Sequence, residues 1–316
     1  AVLLRLSPSH VRFGSFEFFF YRGQYERVKE LADYVIAQNF PELIEAADKY
    51  QRFLAEVVRR TAQLIAKWQT VGFEHGVMNT DNMSVLGITI DYGPFGFLDE
   101  YDPKFICNHS DTYGRYAFEQ QPGIALWNLT CLAQALLPLM EKDAAVAALE
   151  TYEGALTEHY SELMRAKLGW RESREEDAAL LQELLQLMEA SRIDYTIFFR
   201  ALCSFKQNAQ NDSLRALFTD RESFDAWAER YQTRLAAESS DDAEREQRMK
   251  LVNPKYVLRN YLAQTAISRA VEHRDYSEID RLLTLLSKPY DEQPEMERYA
   301  APPPAWSKQI FVSCSS

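Results

Sequence analysis

The chain has 316 residues, 47% of them hydrophobic and 26% charged, which allows one large core or two ordinary ones. Its formal net charge of −12 sets it against nonspecific binding to nucleic acid or to an anionic membrane, while leaving room for a local basic pocket. No run of 18 apolar residues occurs, so no membrane-spanning helix is expected.

Residues 1–6 (AVLLRL) read as a buried strand, followed by a Ser7-Pro8-Ser9 turn. An aromatic cluster runs from Phe16 to Tyr21. From Tyr25 to Asn39 the apolar positions Val28, Leu31, Ala32, Val35 and Ile36 keep helical spacing, and Asn39 and Pro41 mark the end. A longer helix is expected from about Tyr50 to Thr70, with Phe53, Leu54, Val57, Val58, Leu64, Ile65 and Trp68 on one face and Gly72 as its stop.

After Gly72 the texture changes. Residues 72–97 hold five of the 11 glycines and two short β-branched runs around Gly87, which read as a small hairpin (Met83–Leu86 with Ile88–Ile90) between loops. Residues 99–123 read as loop. Helices are expected over 124–140, 141–167, 175–190, 193–206, 212–218, 221–237, 254–272 and 276–287, with Asp241 to Arg248 as a charged linker and an extended tail from Pro289.

The segment from His75 to Asp91 is richest in chemistry. Asp81, Asn82 and Asp91 bracket the expected hairpin, so three oxygen-bearing side chains can converge, as Mg²⁺ or Mn²⁺ requires. A carboxylate beside a phosphate can also accept a proton from an attacking hydroxyl. Asp and Asn are equally ordinary turn formers, and each taken alone reads that way. Their order tells more. The protein-kinase catalytic loop H-R-D-L-x-x-x-N places Asn seven residues after His and is followed by D-F-G. His75 and Asn82 keep that spacing, and Asp91-Tyr92-Gly93 stands where D-F-G would. The loop Asp is replaced by Val77, and an extra carboxylate, Asp81, directly precedes Asn82.

The stretch HGVMNTDNMS followed by IDYGPFGFLDEYDP, together with the opening RLSPSHVRFGSFE and the ending SCSS, resembles the selenoprotein O family of kinase-fold protein adenylyltransferases. The resemblance implies an α+β, mainly α-helical chain. Residues 1–123 would form a kinase-like C-terminal lobe bearing the catalytic and metal-binding loops, and 124–316 a helical extension ending in a Cys-containing tail. It implies transfer of AMP from ATP to Ser, Thr or Tyr hydroxyls of proteins, dependent on Mg²⁺ or Mn²⁺, with pyrophosphate leaving and the nucleotide flipped relative to kinases. Carried over by position, Asp81 is the proton acceptor, Asn82 and Asp91 are metal ligands, and Arg5 and Arg12 with Asp91 hold the nucleotide. Arginine's planar fork suits phosphate oxygens, although two arginines seven apart also suit surface salt bridges. ATP and proteins with acceptor hydroxyls are the expected partners.

His75 is expected to be a structural hydrogen-bonder and His10 a packing residue; His109 falls in a turn. The four cysteines, Cys107, Cys131, Cys203 and Cys314, form no CxxC pair and no disulfide framework, so a reducing, cytoplasm-like compartment is the default. Cys131 and Cys203 read as core. Cys314 stands where some family members carry selenocysteine, and Phe311 removes the neighbouring thiol of a CxxU pair. Cys107, in the loop after Asp91, is the candidate redox partner of Cys314.

Only four residues precede Arg5, and no G-x-G-x-x-G occurs, so the nucleotide-covering lobe is expected to be missing and the chain weak or inactive by itself; a leader to an organelle would be hidden likewise. Two other readings stay open. One is ordinary phosphoryl transfer with Asp81 compensating for Val77; the other is a non-catalytic helical binding module.

Overall fold

The computed structural model describes residues 4–313 and is mainly α-helical. Three helices open it: α1 (Phe13–Phe20), α2 (Tyr25–Asn39) and α3 (Lys49–Val71). In α2 the buried residues Val28, Ala32, Val35 and Ile36 follow the spacing seen in the sequence. The 23-residue α3 ends where Gly72 takes the left-handed conformation at φ +70° and returns its N–H to the Trp68 carbonyl. A side chain at 72 would also press against the Tyr195 ring, 3.0 Å from its Cβ.

Expectation and structure part at α1. The run FGSFEFFF is a helix that buries Phe13 and Phe16 and exposes Phe18, and Phe16 packs on Phe53 of α3. The strand expected over 1–6 is not seen in its described part: Leu4 and Leu6 are 80% and 89% exposed and lie in no strand. The hairpin expected at 83–90 does not form either. Phe13 N–H donates to Met83 O and Val85 N–H to Val11 O, so the 83–85 run pairs with 11–13, and Ser84 O accepts from Gly87 N–H in a tight turn in place of a ladder with 88–90. Gly87, at φ +64°, turns the chain against the backbone of Arg60 on α3. The two short strands are instead β1 (Phe73–Glu74) and β2 (Gly96–Phe97), antiparallel, with Phe73 opposite Phe97.

α4 (Gln121–Leu136) follows, and α5 (Lys142–Lys167) runs along α3. With the 3₁₀ turns at its ends, α4 makes a helix over Phe118–Leu139 that is long and apolar enough to cross a membrane; here one face, with Ala125, Leu129, Leu132 and Leu136, is buried in the core with α1 and α3. That core also takes Ala145, Ala148 and Tyr152 from the first half of α5. Each large apolar side chain fully buried there contributes roughly 1.5–3 kcal/mol.

The second half of α5 belongs to another core, with Met164 and Leu168 packed among α6 (Asp177–Ser191), α7 (Tyr195–Leu202), α8 (Asp212–Arg215), α9 (Arg221–Ala236) and α10 (Asp242–Lys250). At 1.5 Å per residue the 26-residue α5 spans about 39 Å, enough to serve both. α10 replaces the linker expected at 241–248. Asp241 caps it through Glu244 N–H, Met249 is buried, and Arg245 is wholly buried with its guanidinium on Phe205 O and Asp242. Last come α11 (Asn260–His273) and α12 (Ser277–Leu286), which build a small third core with Tyr256 and Tyr299. The tail expected to be extended contains 3₁₀ turns at Pro294–Ala300 and Ala305–Gln309.

Candidate active site

β1 delivers the chain into a loop whose end, Thr80–Asn82, is a single 3₁₀ turn. Asp91 follows in the left-handed region at φ +54°, a conformation that costs a non-glycine residue of order 1 kcal/mol or more. Two arginines from the N-terminal segment reach it across more than 70 positions of sequence. Arg12 grips both carboxylate oxygens, with Nε 2.7 Å from Oδ2 and Nη2 3.0 Å from Oδ1; Arg5 Nη1 lies 2.9 Å from Oδ1. This fork-on-carboxylate pairing holds Asp91 below the usual carboxylate range, chiefly through the Arg12 hydrogen bonds. The same bonds, then the charges of Asp91 and Asp81, raise the Arg12 pKa.

Asp81 rests against the start of α1, in the space that Gly14 leaves by having no side chain. Asn82 Nδ2 donates to Val77 O at 2.8 Å, so its Oδ1 is not engaged in that bond. Arg12, Asp81, Asn82 and Asp91 line one open cleft of about 540 Å³, walled by Gly14, Ser15, Phe18 and Phe19. Arg5 joins it through Asp91. Among the described residues no group of three or more His, Cys, Asp or Glu could hold a metal by itself. The cleft offers hard oxygens on Asp81, Asn82 and Asp91 that phosphate and water could complete, a donor set of the kind that suits Mg²⁺ or Mn²⁺.

His75 is buried under Trp68, and its Nε2–H donates to the Ile90 carbonyl at 2.8 Å, directly ahead of Asp91. Burial pushes its pKa down, so the ring stays neutral, and its buried Nδ1 has no partner. It ties the two loops together and does not face the cleft. His10, expected to pack, is exposed.

Cys107 is buried behind the loops. Its thiol donates to Pro94 O at 2.6 Å, its N–H donates to Glu74 Oε2 at 2.7 Å, and a side chain at Gly76 would strike its Sγ. Burial and then the Glu74 charge push the thiol pKa up; burial likewise lifts Glu74 to about 8. Cys314 lies outside the described residues. The tail just before it runs beside the same loop: His109 N–H donates to Val312 O at 2.9 Å, and the Ser110 and Ser313 hydroxyls are 2.6 Å apart. Cys203 is buried as expected, whereas Cys131 is only partly so.

Three residues of the site were not among the expected ones: Gly14, and Gln121 and Asn128, whose buried amides hold the loop backbone. A glycine between Arg12-Phe13 and Ser15-Phe16 was the one available signal for the first. The amides carried none, because their partners are backbone atoms distant in sequence.

The profile of a family described as protein adenylyltransferase SelO matches residues 1–287. Proteins named protein nucleotidyltransferase YdiU from Thioalkalivibrio sulfidiphilus and Myxococcus xanthus are each 59% identical to this chain, and one from Yersinia pestis is 53% identical. In each case all of this chain aligns, and it spans 65% of the relative's length.

Proposed function

The chain belongs to the family of the protein adenylyltransferase SelO, and on that footing we propose that it moves AMP from ATP to Ser, Thr or Tyr hydroxyls of protein substrates. The observation that carries this reading is the single cleft shared by Arg12, Asp81, Asn82 and Asp91. In the proposed reaction Asp81 takes the proton of the acceptor hydroxyl as its oxygen bonds to the α-phosphorus. The bond from that phosphorus to the bridging oxygen of the β-phosphate breaks, and pyrophosphate leaves with the bond's electrons. Arg5 and Arg12 exchange Asp91 for phosphate oxygens, offsetting charge that an acidic protein would otherwise repel. Asn82 and Asp91 hold a Mg²⁺ or Mn²⁺ ion, which when bound screens the phosphate charges.

The same proposal divides the chain into a kinase-like lobe over 1–123 and a helical extension over 124–316. In support, the cleft residues all lie before position 92; α4 and the first half of α5 pack in the same first core, and the separate core around α6 to α10 starts in the second half of α5. A redox tether between Cys107 and Cys314 belongs to it as well, supported by the tail at 312–313 lying beside His109 and Ser110. Two free thiols at these positions under oxidising conditions would overturn the tether.

The test is incubation with ATP labelled on the α- or the γ-phosphate, with Mg²⁺ or Mn²⁺ and an acceptor protein, beside an Asp81→Asn variant. The expected result is protein label from the α position only, lost in the variant. Label from γ alone would mean kinase chemistry, and no label together with no ATP binding would mean a binding module.

A further inference from the structure

We infer that Gln121 and Asn128 are positioning residues, a two-point clamp from one face of α4 on the loop that carries Asp81. As far as turnover is concerned, their role depends on the transfer proposed above. β1 has two edges, and β2 pairs with one of them. On the other edge the Phe73 carbonyl and the His75 N–H, two residues apart, point the same way and would be left unpaired in the interior. The Gln121 amide meets both: its Nε2–H donates to Phe73 O at 3.0 Å, and its Oε1 accepts from His75 N–H at 3.0 Å. A primary amide, with donor and acceptor side by side, thus takes the place of a third strand.

Asn128 lies seven residues along the helix, two turns and about 10 Å further on the same side. Its Nδ2 donates to Met78 O at 2.9 Å and to Ile124 O at 2.8 Å. Both side chains are fully buried, so no water replaces a lost bond. The Asn128 Oδ1 is buried without a partner, a cost that a leucine of similar size would avoid. What the amide supplies in return is the donor to Met78, three residues ahead of Asp81. His75, whose N–H belongs to the first grip, in turn holds Ile90 through its ring, ahead of Asp91. The clamp therefore sets Asp81 relative to Asp91 without either amide lining the cleft.

Two near-isosteric variants of the full chain test this, Gln121→Glu and Asn128→Leu, each compared with the native protein at the same pH. In Gln121→Glu the new carboxyl group, while protonated, still donates to Phe73 O; once ionised, it repels that carbonyl. The expected result is at least tenfold faster amide exchange confined to residues 73–82 in both variants. In AMP transfer, kcat falls tenfold or more with KM for ATP changed less than twofold, and the Gln121→Glu loss is relieved on lowering the pH from 8 to 6. Unchanged exchange over 73–82, equal acceleration along the whole chain, or an unchanged kcat would overturn the clamp. Should Asn128→Leu fail to fold, the pH-dependent exchange of Gln121→Glu decides. A native chain that transfers no AMP would overturn the function proposed above, and local exchange alone would then judge the clamp.

Discussion

A Cβ added to residue 14 would lie 2.0 Å from the Asp81 Oδ1, so Gly14 is what allows the loop carboxylate to lie against the first turn of α1. Gly14→Ala is therefore expected to displace Asp81 and to slow the proposed transfer roughly tenfold to a hundredfold, the scale of a 1 Å misplacement. Helix propensity favours the alanine by up to about 1 kcal/mol, so the variant stays folded. Label transfer read beside a thermal melt checks this; lost activity through unfolding would contradict it.

Arg12 meets Asp91 with two nitrogens, a geometry that lysine cannot reproduce. Arg12→Lys is expected to raise KM for ATP about tenfold, equivalent to ~1.4 kcal/mol of binding. Steady-state kinetics with ATP varied would show it, and an unchanged KM would remove Arg12 from the nucleotide site.

Glu74 makes stability depend on pH. Burial raises its folded pKa from an ordinary value of 4.5 to about 8, so between those values the folded state keeps a proton that the unfolded state has released. Its contribution is present in full below pH 4.5, falls as pH rises through the window, and levels off above about 8. Glu74→Gln keeps an acceptor for Cys107 N–H without the titration. The variant's advantage over the native protein should thus grow between pH 5 and pH 8, by an amount on the order of a few kcal/mol. Urea midpoints at both pH values measure it.

Arg259 is buried between Asp99, just after β2, and Asp194, which caps α7 through Ile197 N–H. It pins the helical second half to the loop region. Arg259→Leu leaves two carboxylates facing each other and is expected to cost about 3–5 kcal/mol. Denaturant unfolding reads the loss, and Arg259→Lys should recover only part of it.

Several elements were legible because their cause is local. The apolar spacing of α2 predicted its observed bounds, Tyr25–Asn39, and Gly72 marked the end of α3 where its left-handed conformation is needed. The order His75, Asp81, Asn82, Asp91 singled out residues that the structure groups around one loop pair. α1 was not legible, since a run of five aromatics in eight residues carries no clear period, and only contact with α2, α4 and the Phe53 ring of α3 selects the buried face. α10 was hidden because its central buried side chain is Arg245, which as sequence looks like a solvated charge. The 83–90 run had the composition of a hairpin but found its hydrogen bonds at 11–13.

By itself the sequence determined the helical character of the chain, the spacing of its chemical residues and the family they point to, because periodicity and motif are properties of neighbours along the chain. The tertiary structure alone decided that Arg5 and Arg12 close on Asp91, that Gly14 makes room for Asp81, and that the Gln121 and Asn128 amides hold the loop. Those contacts join groups dozens of residues apart. Their energy depends on burial and on the direction of single hydrogen bonds, which exist only once the cores have formed.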